Sequence, residues 1–147
     1  MDGACLMDNL NSWSAVIPGP PIGKGRPRAT MRGGAVRTYT PKKTAHWEAF
    51  AASILMDHWR SSPLSCPTSA SILALFPRPQ RMIWKTKPME REPYCQKPDL
   101  DNVVKAILDA AEKAGVLMDD KVVWSVDCVA LYCSGDESPR VELRLGW

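Results

Sequence analysis

The sequence feature that most constrains the fold is an apolar stripe in the second half of the chain. Apolar residues recur there at steps of three and four positions, which is the spacing of one buried helix face. They are Leu100, Val103, Val104, Ile107, Leu108 and Ala111. Gly115 then provides a helix stop, because glycine readily adopts the left-handed conformation found there. The pattern predicts a helix of about fifteen residues, roughly 22 Å long.

The other predicted elements complete an α+β fold, with a small mixed or largely antiparallel sheet packed against two helices. We expect the first helix to begin at Thr40, with Pro41 in the first helical position, and to end before Pro63. Gly33 and Gly34 predict the tip of a hairpin. Apolar runs and alternating patterns predict strands at residues 14–18, 70–76, 121–132 and 141–145.

Length and composition indicate a single globular domain, which we expect at residues 13–147 after a flexible leader of residues 1–12. Five cysteines without a C-x-x-C pair, together with only two histidines, argue against a structural zinc site and predict reduced thiols. The leader lacks the features of a signal peptide, and the longest apolar run is too short to span a membrane. We therefore expect a cytoplasmic protein.

Charge is distributed unevenly, although the net charge is only +3. Residues 9–47 contain no acidic residue but carry the cations Lys24, Arg26, Arg28, Arg32, Arg37, Lys42 and Lys43. A second basic patch surrounds Trp84, whose ring either stacks on an unpaired base or packs against its own domain; its cations are Arg78, Arg81, Lys85, Lys87 and Arg91. The cation-rich segment from Lys24 to Lys43, here called the basic arm, beside the acidic residues later in the chain suits a polyanionic substrate.

Acidic residues gather at both ends of the predicted helix. Asp99 is placed to cap it, and Asp101 falls in the first turn, where the helix dipole favours an anion. Lys105 lies one turn further on. The segment 115–120 can span roughly 20 Å, so Asp120 can return to the helix start within one chain, and delivery from a partner subunit is the alternative. Carboxylates beside a cation fit a divalent-metal site for phosphate chemistry.

The same residues also permit purely structural roles. Asp99 alone would be a helix cap, and Asp101 with Lys105 would be an exposed ion pair worth a few tenths of a kcal/mol. Asp119 and Asp120 alone would form a turn. The occurrence of all these features within about twenty residues favours a functional site over three independent structural ones.

Two other chemistries are excluded by specific positions. A calcium-binding EF-hand loop fails because Val104 occupies the place that needs glycine, and no glutamate stands at the twelfth position. A serine or cysteine nucleophile lacks a convincing base, because His46 and His58 both fall on the first helix, where packing or surface roles are expected.

These motifs together resemble the RusA family of Holliday-junction resolvases. The acidic part of the resemblance is Lys97-Pro98-Asp99-Leu100-Asp101-Asn102, Lys105, Asp109, Gly115, Asp119-Asp120 and Val122-Val123. The N-terminal part is Lys24-Gly25-Arg26-Pro27-Arg28 and Tyr39-Thr40-Pro41. The resemblance covers most of the chain from about residue 16 onward, and its acidic motif is the more specific of the two.

The resemblance implies a structure-selective endodeoxyribonuclease that resolves four-way DNA junctions in recombination and repair, in bacteria or their phages. It implies catalytic, metal-binding roles for Asp99, Asp101 and Asp120, with Asp119 a weaker candidate, and a catalytic role for Lys105. The expected cofactor is Mg²⁺, with Mn²⁺ as a substitute. A homodimer is expected, because a junction with approximate two-fold symmetry must be cut on two opposed strands.

The basic segments carry the predicted contacts to branched DNA. We expect phosphate contacts from Lys24, Arg26, Arg28, Arg32, Arg37, Lys85 and Lys87. Two alternatives stay open: a metal-dependent nuclease that acts more broadly on flaps or forks, and a non-catalytic DNA-binding protein that keeps the basic arm. The complete set of three aspartates and Lys105 argues against the second alternative.

Overall fold

Five strands form the main sheet of the computed structural model, which describes residues 11–39 and 41–147. The strands are β1 (Ser12–Pro18), β4 (Thr68–Phe76), β5 (Glu92–Pro93), β6 (Val123–Tyr132) and β7 (Arg140–Gly146). Their order across the sheet is β1-β7-β4-β6-β5. The pair β4 and β6 is parallel, and the other three neighbouring pairs are antiparallel. The predicted mixed sheet is therefore confirmed.

A separate antiparallel hairpin contains β2 (Arg28–Arg32) and β3 (Ala35–Tyr39). Gly33 and Gly34 form its tip with φ angles of +62° and +79°, a backbone conformation that glycine adopts without steric cost. The predicted hairpin tip is confirmed. Every residue of both strands is exposed, so the hairpin lies outside the core.

The first helix, α1 (Lys42–His58), packs against the second helix, α2 (Leu100–Lys113). Pro41 precedes the first helical residue of α1 instead of occupying it, and Thr40 lies outside the described residues. The helix ends at His58, before Pro63, as predicted. Its buried apolar residues lie on one face of the helix and are Trp47, Ala51, Ala52 and Leu55.

The buried face of α2 is shorter than the predicted stripe. Val103 and Ile107 have no solvent exposure, and Leu108 and Ala111 are also buried. Leu100 is 46% exposed, because it lies in the first turn, beside the exposed acidic residues of the helix end. Gly115 follows the helix with φ +77°, so the predicted helix stop is confirmed.

Strand β6 begins at Val123, two residues later than predicted, because Asp120–Val122 forms a 3₁₀ turn. Val126 stands beside the buried Ala70 of β4 in the sheet, yet it is 43% exposed. Trp124 is 52% exposed. The helices therefore cover the sheet face that carries Ala70 at β4, but they leave that face open along the first half of β6. The sequence did not predict this exposure.

The predictions for the histidines and cysteines agree with the structure where it describes them. His46 and His58 are exposed on α1. The described cysteines are all free, and Cys5 lies outside the described residues; they are Cys66, Cys95, Cys128 and Cys133. Over the described ranges no helix combines the length and the hydropathy needed to cross a bilayer.

Most of the predicted leader lies outside the described residues, which begin at Asn11. Asn11 and Trp147 exchange two backbone hydrogen bonds of 3.0 Å, and Ser12 already belongs to β1. The boundary between leader and domain at residue 13 stays a prediction.

The long loop between β4 and α2 is anchored by two side chains. Arg78, whose side chain is only 5% exposed, donates to three backbone carbonyl groups and pairs with Glu92 at 2.9 Å. The ring of Tyr94 stacks on Phe76 with centroids 3.6 Å apart, and its hydroxyl donates to the Lys97 carbonyl. These contacts fix the chain just before the acidic N-terminal end of α2.

The segment between β1 and β2 crosses the beginnings of both helices. The Lys24 backbone N–H donates to the Asn102 carbonyl at 2.9 Å, and the Gly25 N–H donates to Thr44 Oγ1 at 3.1 Å. A Cβ atom added at Gly23 would lie 2.3 Å from Cβ of Pro98. Only glycine therefore permits this close approach to the segment that leads into α2.

We expect Gly23→Ala to destabilise the protein by about 1–3 kcal/mol, because the added methyl group overlaps a rigid proline ring. The free energy of unfolding, measured by urea denaturation, checks this. Gly135→Ala is the matched control, because the added Cβ there meets the flexible end of Met89, 2.7 Å from Cε. Equal stability losses for the two variants would contradict a specific close approach at Gly23.

Candidate active site

The first two candidate carboxylates lie at the N-terminal end of α2, and both are exposed. Asp99 precedes the first helical residue, and its backbone carbonyl accepts a hydrogen bond from the Val103 N–H at 3.1 Å. Asp99 therefore occupies the predicted N-cap position, but its side chain makes no capping hydrogen bond. The exposed carboxylate is therefore available to a cation. Asp101 lies in the first turn, as predicted.

The segment between α2 and β6 returns Asp120 to the side of the same helix. Val116 and Leu117 are buried, and the Leu64 N–H donates to the Val116 carbonyl at 2.9 Å. The Met118 N–H donates back to the Leu64 carbonyl, also at 2.9 Å. This short parallel bridge between two segments anchors the connection, so the acidic pair that follows it has a fixed starting point.

Asp119 and Asp120 have different surroundings, although they are neighbours in sequence. Oδ1 of Asp119 accepts a hydrogen bond from the Lys121 backbone N–H at 3.0 Å and so caps the 3₁₀ turn. Oδ2 of Asp120 accepts from Lys105 Nζ at 2.9 Å. The hydrogen bond from Lys105 is the main cause that lowers the pKa of Asp120. Asp120 is thus the member of the pair that faces α2.

Lys105 contacts two carboxylates, neither of which is Asp101. Its Nζ atom lies 2.9 Å from Asp120 Oδ2 and 3.0 Å from Asp109 Oδ1. The hydrogen bonds to Asp120 and Asp109 raise the pKa of Lys105 well above its ordinary value. Half of the side chain remains exposed, so the ammonium group faces the solvent beside the acidic residues. The possible ion pair between Asp101 and Lys105 does not form.

Asp109 and Glu48 extend this contact to a second lysine. Nζ of Lys24 lies 3.0 Å from Asp109 Oδ2 and 2.6 Å from Glu48 Oε1. Burial opposes protonation of Lys24, but the hydrogen bonds to Glu48 and Asp109 together outweigh it and raise its pKa. Sequence reasoning assigned no role to Asp109 or Glu48. Two signals for Asp109 were available: its spacing of four residues from Lys105 on a helix, and its place in the motif that resembles the RusA family.

The predicted metal ligands Asp99, Asp101 and Asp120 do not form one cluster among the described residues. In the part of the chain that the structure describes, the carboxylates with one oxygen each within 4.8 Å of one another are Asp109, Glu112 and Asp120. Asp99 and Asp101 do not belong to this group and lie at the helix end instead. All of these side chains offer hard oxygen donors, which suit a hard divalent cation such as Mg²⁺. The donor chemistry therefore fits the expected metal, and Asp120 belongs to both candidate sets.

Six of the seven predicted DNA-binding cations are exposed, and Lys24 is the exception because it faces Glu48 and Asp109. In the hairpin register Arg37 stands opposite Thr30, and side chains alternate between the two faces of each strand. Arg28, Arg32 and Arg37 therefore share one face of the hairpin. The sequence alone could not show this arrangement, because it depends on the pairing of β2 with β3.

A basic cleft of about 640 Å³ opens between the arm and the helix beginnings. Its charged lining residues are all cations: Lys24, Arg26, Arg28, Lys43 and Lys97. Lys43 and Lys97 were not among the predicted site residues. The cleft reaches Pro98, directly before Asp99, so a polyanion held there would pass the acidic end of α2.

Trp84 is half-buried within its loop, between two cations of the second basic patch. The guanidinium carbon of Arg78 lies 5.1 Å from the ring centre, and Nζ of Lys87 lies 4.8 Å from it. These cation–π contacts favour packing against its own domain over the alternative of base stacking. Lys85 and Lys87 remain exposed beside the ring.

Comparison with known proteins gives a consistent result along nearly the whole chain. A family model described as endodeoxyribonuclease RusA matches residues 18–146. Crossover junction endodeoxyribonuclease RusA of Aquifex aeolicus is 25% identical over 138 residues, which cover 94% of this chain and 93% of that protein. The uncharacterized protein YqaN of Bacillus subtilis is 28% identical over 134 residues, which cover 88% of this chain and 92% of that protein. This chain belongs to the RusA family of endodeoxyribonucleases.

Proposed function

We propose that this protein resolves four-way DNA junctions by Mg²⁺-dependent phosphodiester hydrolysis, in recombination and repair within the bacterial cytoplasm. The observation that carries the proposal is the contact between Lys105 and Asp120, in which a protonated amine and a carboxylate meet at 2.9 Å on an exposed surface. Membership of the RusA family supports the nuclease chemistry. The name of the Aquifex relative, a crossover junction endodeoxyribonuclease, supports the junction substrate.

In this proposal Asp99, Asp101 and Asp120 hold the metal. Asp99 and Asp101 make no ion pair with any residue in the described ranges, so their oxygen atoms are open to a cation. When bound, Mg²⁺ supplies charge compensation for the phosphate and acidifies a water molecule. Asp119 is a weaker candidate, because its Oδ1 is used by the backbone of its own turn.

Lys105 supplies the positive charge next to the reacting phosphate. A lysine amine is protonated throughout the neutral range at its ordinary pKa, and the hydrogen bonds to Asp120 and Asp109 raise the pKa of Lys105 further. A protonated amine can donate to a phosphate oxygen or to the leaving oxygen, and such fixed donors contribute most where negative charge develops. Lys105 is half exposed, so a phosphate can approach it without rearrangement of the core.

The exposed cations provide a path for the DNA backbone. Arg28, Arg32 and Arg37 share the hairpin face, and Arg26 and Arg28 also line the basic cleft beside the acidic end of α2. Contacts to phosphate give affinity and orientation without sequence information. Lys85 and Lys87 are proposed to extend this path on the second basic patch.

A homodimer is proposed because a four-way junction presents two opposed strands for cleavage. The open first half of β6 supports an interface there. Strand β5 pairs with Leu131 and Tyr132 of β6, and the Tyr94 N–H donates to the Ala130 carbonyl. The edge of β6 before Ala130 has no strand partner within the described ranges. An unpaired strand edge with an exposed tryptophan, Trp124, is a surface on which a second copy can pair.

We expect Asp101→Asn to reduce cleavage of a labelled four-way junction by more than about 100-fold, because stabilisation worth several kcal/mol is lost with the metal. Lys105→Met should reduce it by roughly 100- to 1,000-fold. Gel-resolved single-turnover cleavage, with and without Mg²⁺, measures both effects. Flap and linear duplex substrates belong in the same series.

The exposed Asp57 of α1 provides the matched control, and Asp57→Asn should cleave at the wild-type rate. Glu112→Gln separates the two candidate metal sets, since Glu112 belongs only to the group with Asp109 and Asp120. Full activity of Asp101→Asn together with loss of activity in Glu112→Gln would refute the proposed ligands. Equal cleavage of linear duplex would leave a nuclease but remove the junction preference, and cleavage that persists in EDTA would remove the metal.

We expect the double variant Arg32→Gln, Arg37→Gln to bind junctions more weakly and with a shallower salt dependence. The slope of log affinity against log salt concentration should fall by about 0.9 for each phosphate interaction that the substitutions remove. Fluorescence anisotropy at several salt concentrations measures it. The double variant Arg60→Gln, Lys113→Gln removes the same charge from exposed positions elsewhere, and an equal change of slope there would contradict a specific hairpin contact.

We expect Trp124→Lys to convert a dimer into a monomer, because a charge would replace the exposed apolar side chain at the proposed interface. Sedimentation velocity at micromolar concentration measures the change. Met31→Lys is the control, since Met31 is 77% exposed on the hairpin, and it should remain dimeric. A wild-type protein that sediments as a monomer would contradict the dimer, and a dimeric Trp124→Lys variant would exclude this interface.

A further inference from the structure

We propose that Asp109 is a positioning residue, which orients Lys105 for cleavage, and that Lys24 holds Asp109 in place. The inference rests on the proposed function, because it assigns Lys105 its role at the phosphate. It adds two residues to that role, neither of which needs to touch the substrate. It also gives Lys24 a different role from the phosphate contact predicted from the sequence.

The geometry shows one carboxylate shared between two ammonium groups. Oδ1 of Asp109 lies 3.0 Å from Lys105 Nζ, and Oδ2 lies 3.0 Å from Lys24 Nζ. The Asp109 side chain is only 18% exposed, so water competes weakly for these contacts. A lysine side chain has several rotatable bonds and loses orientation easily. A second acceptor besides Asp120 therefore restricts where the Lys105 amine can lie.

Lys24 is itself held by both helices, which makes it a fixed support. Its backbone N–H is bonded to Asn102 of α2, and its side chain contacts Glu48 of α1 at 2.6 Å. Glu48 is buried, with only 8% of its surface exposed. The contacts therefore run from α1 through Glu48, Lys24 and Asp109 to Lys105 on the exposed face of α2.

The same contacts argue against Asp109 as a metal ligand. Each of its two oxygen atoms already faces an ammonium group at 3.0 Å. A divalent cation bound to Asp109 would lie close to both ammonium groups, and like charges at such distances repel strongly. Asp120, in contrast, has a lysine contact on Oδ2 alone.

A double-mutant cycle tests the inference directly. Single-turnover cleavage of a four-way junction, with enzyme in excess, is measured for Asp109→Asn, Lys105→Met and the variant that carries both changes. We expect Asp109→Asn to slow cleavage by roughly 10- to 100-fold, a reduction typical of residues that orient a catalytic group, with unchanged junction affinity. The double variant should cleave within about twofold of Lys105→Met, since effects exerted through one residue do not add.

Glu137 offers a matched control for the removal of a bridging carboxylate. It pairs with Arg91 and lies 3.2 Å from Arg140, and its side chain is 15% exposed, close to the value for Asp109. Glu137→Gln therefore makes the same chemical change in a similar environment, in the loop between β6 and β7. We expect it to lower stability as Asp109→Asn does, but to leave the cleavage rate unchanged.

The possible results separate this inference from the proposed function. Failure of the wild-type protein to cleave the junction would refute the proposed function itself, whereas wild-type cleavage by Lys105→Met would refute the role of Lys105 and with it the inference. Strong loss of activity in Lys105→Met, with losses that multiply in the double variant, would overturn only the inference. A higher Mg²⁺ requirement of Asp109→Asn would identify Asp109 as a ligand and overturn it as well.

The role of Lys24 is tested by Lys24→Met in the same assays. We expect slower cleavage at saturating enzyme, no further reduction when the change is combined with Lys105→Met, and unchanged salt dependence of junction binding. Weaker binding with a shallower salt slope and a normal cleavage rate would show that Lys24 contacts phosphate instead, which would overturn its part of the inference.

Discussion

Burial of one face of α2 against α1 and the sheet is the interaction on which the candidate site depends. Val103, Ile107 and Ala110 have no solvent exposure. Burial of a side chain the size of valine or isoleucine contributes about 1.5–3 kcal/mol, whereas an exposed ion pair contributes about 0–1 kcal/mol. The apolar contacts therefore determine where the helix lies. The ion pairs on its other face determine where the lysine and aspartate side chains point.

Alternation of charge explains how a small domain accommodates so many carboxylates. Glu48, Asp109 and Asp120 are separated in space by the ammonium groups of Lys24 and Lys105, so each of these carboxylates contacts a cation. Two like charges 4 Å apart would otherwise cost about 1 kcal/mol in water and about 4 kcal/mol near a protein surface. Asp99 and Asp101 lack such compensation and are exposed, where water screens them.

The parts of the site that depend on local sequence were predictable. The parts that depend on contacts between residues far apart in the sequence were not. The apolar spacing predicted α2, and the length of the following segment predicted that Asp120 could return to it. The actual contact at Lys105, one turn inside the helix, depends on the bridge between Leu64 and Leu117. The contact between Lys24 and Glu48 joins residues 24 positions apart, so no spacing rule reveals it.

Predictions from local sequence also failed where water competes with contacts within the protein. Asp99 has the position of a helix cap but not its hydrogen bond, because an exposed carboxylate can be solvated by water instead. Leu100 fits the apolar period, yet the first turn of α2 lies at the exposed acidic end. A periodic pattern identifies the face of a helix, but the neighbouring elements decide how far along that face burial extends.

The open edge of β6 and the candidate site belong to one continuous segment. The 3₁₀ turn Asp120–Val122 leads directly into β6, and Trp124 lies in its second position. In the proposed homodimer, a two-fold axis at this edge would place Asp120 of each copy only a few residues along the chain from the interface. Two sites close to a shared axis match the approximate two-fold symmetry of a four-way junction. In the proposed homodimer, the exposed part of β6 and the acidic residues that precede it would therefore both serve the same two-fold substrate.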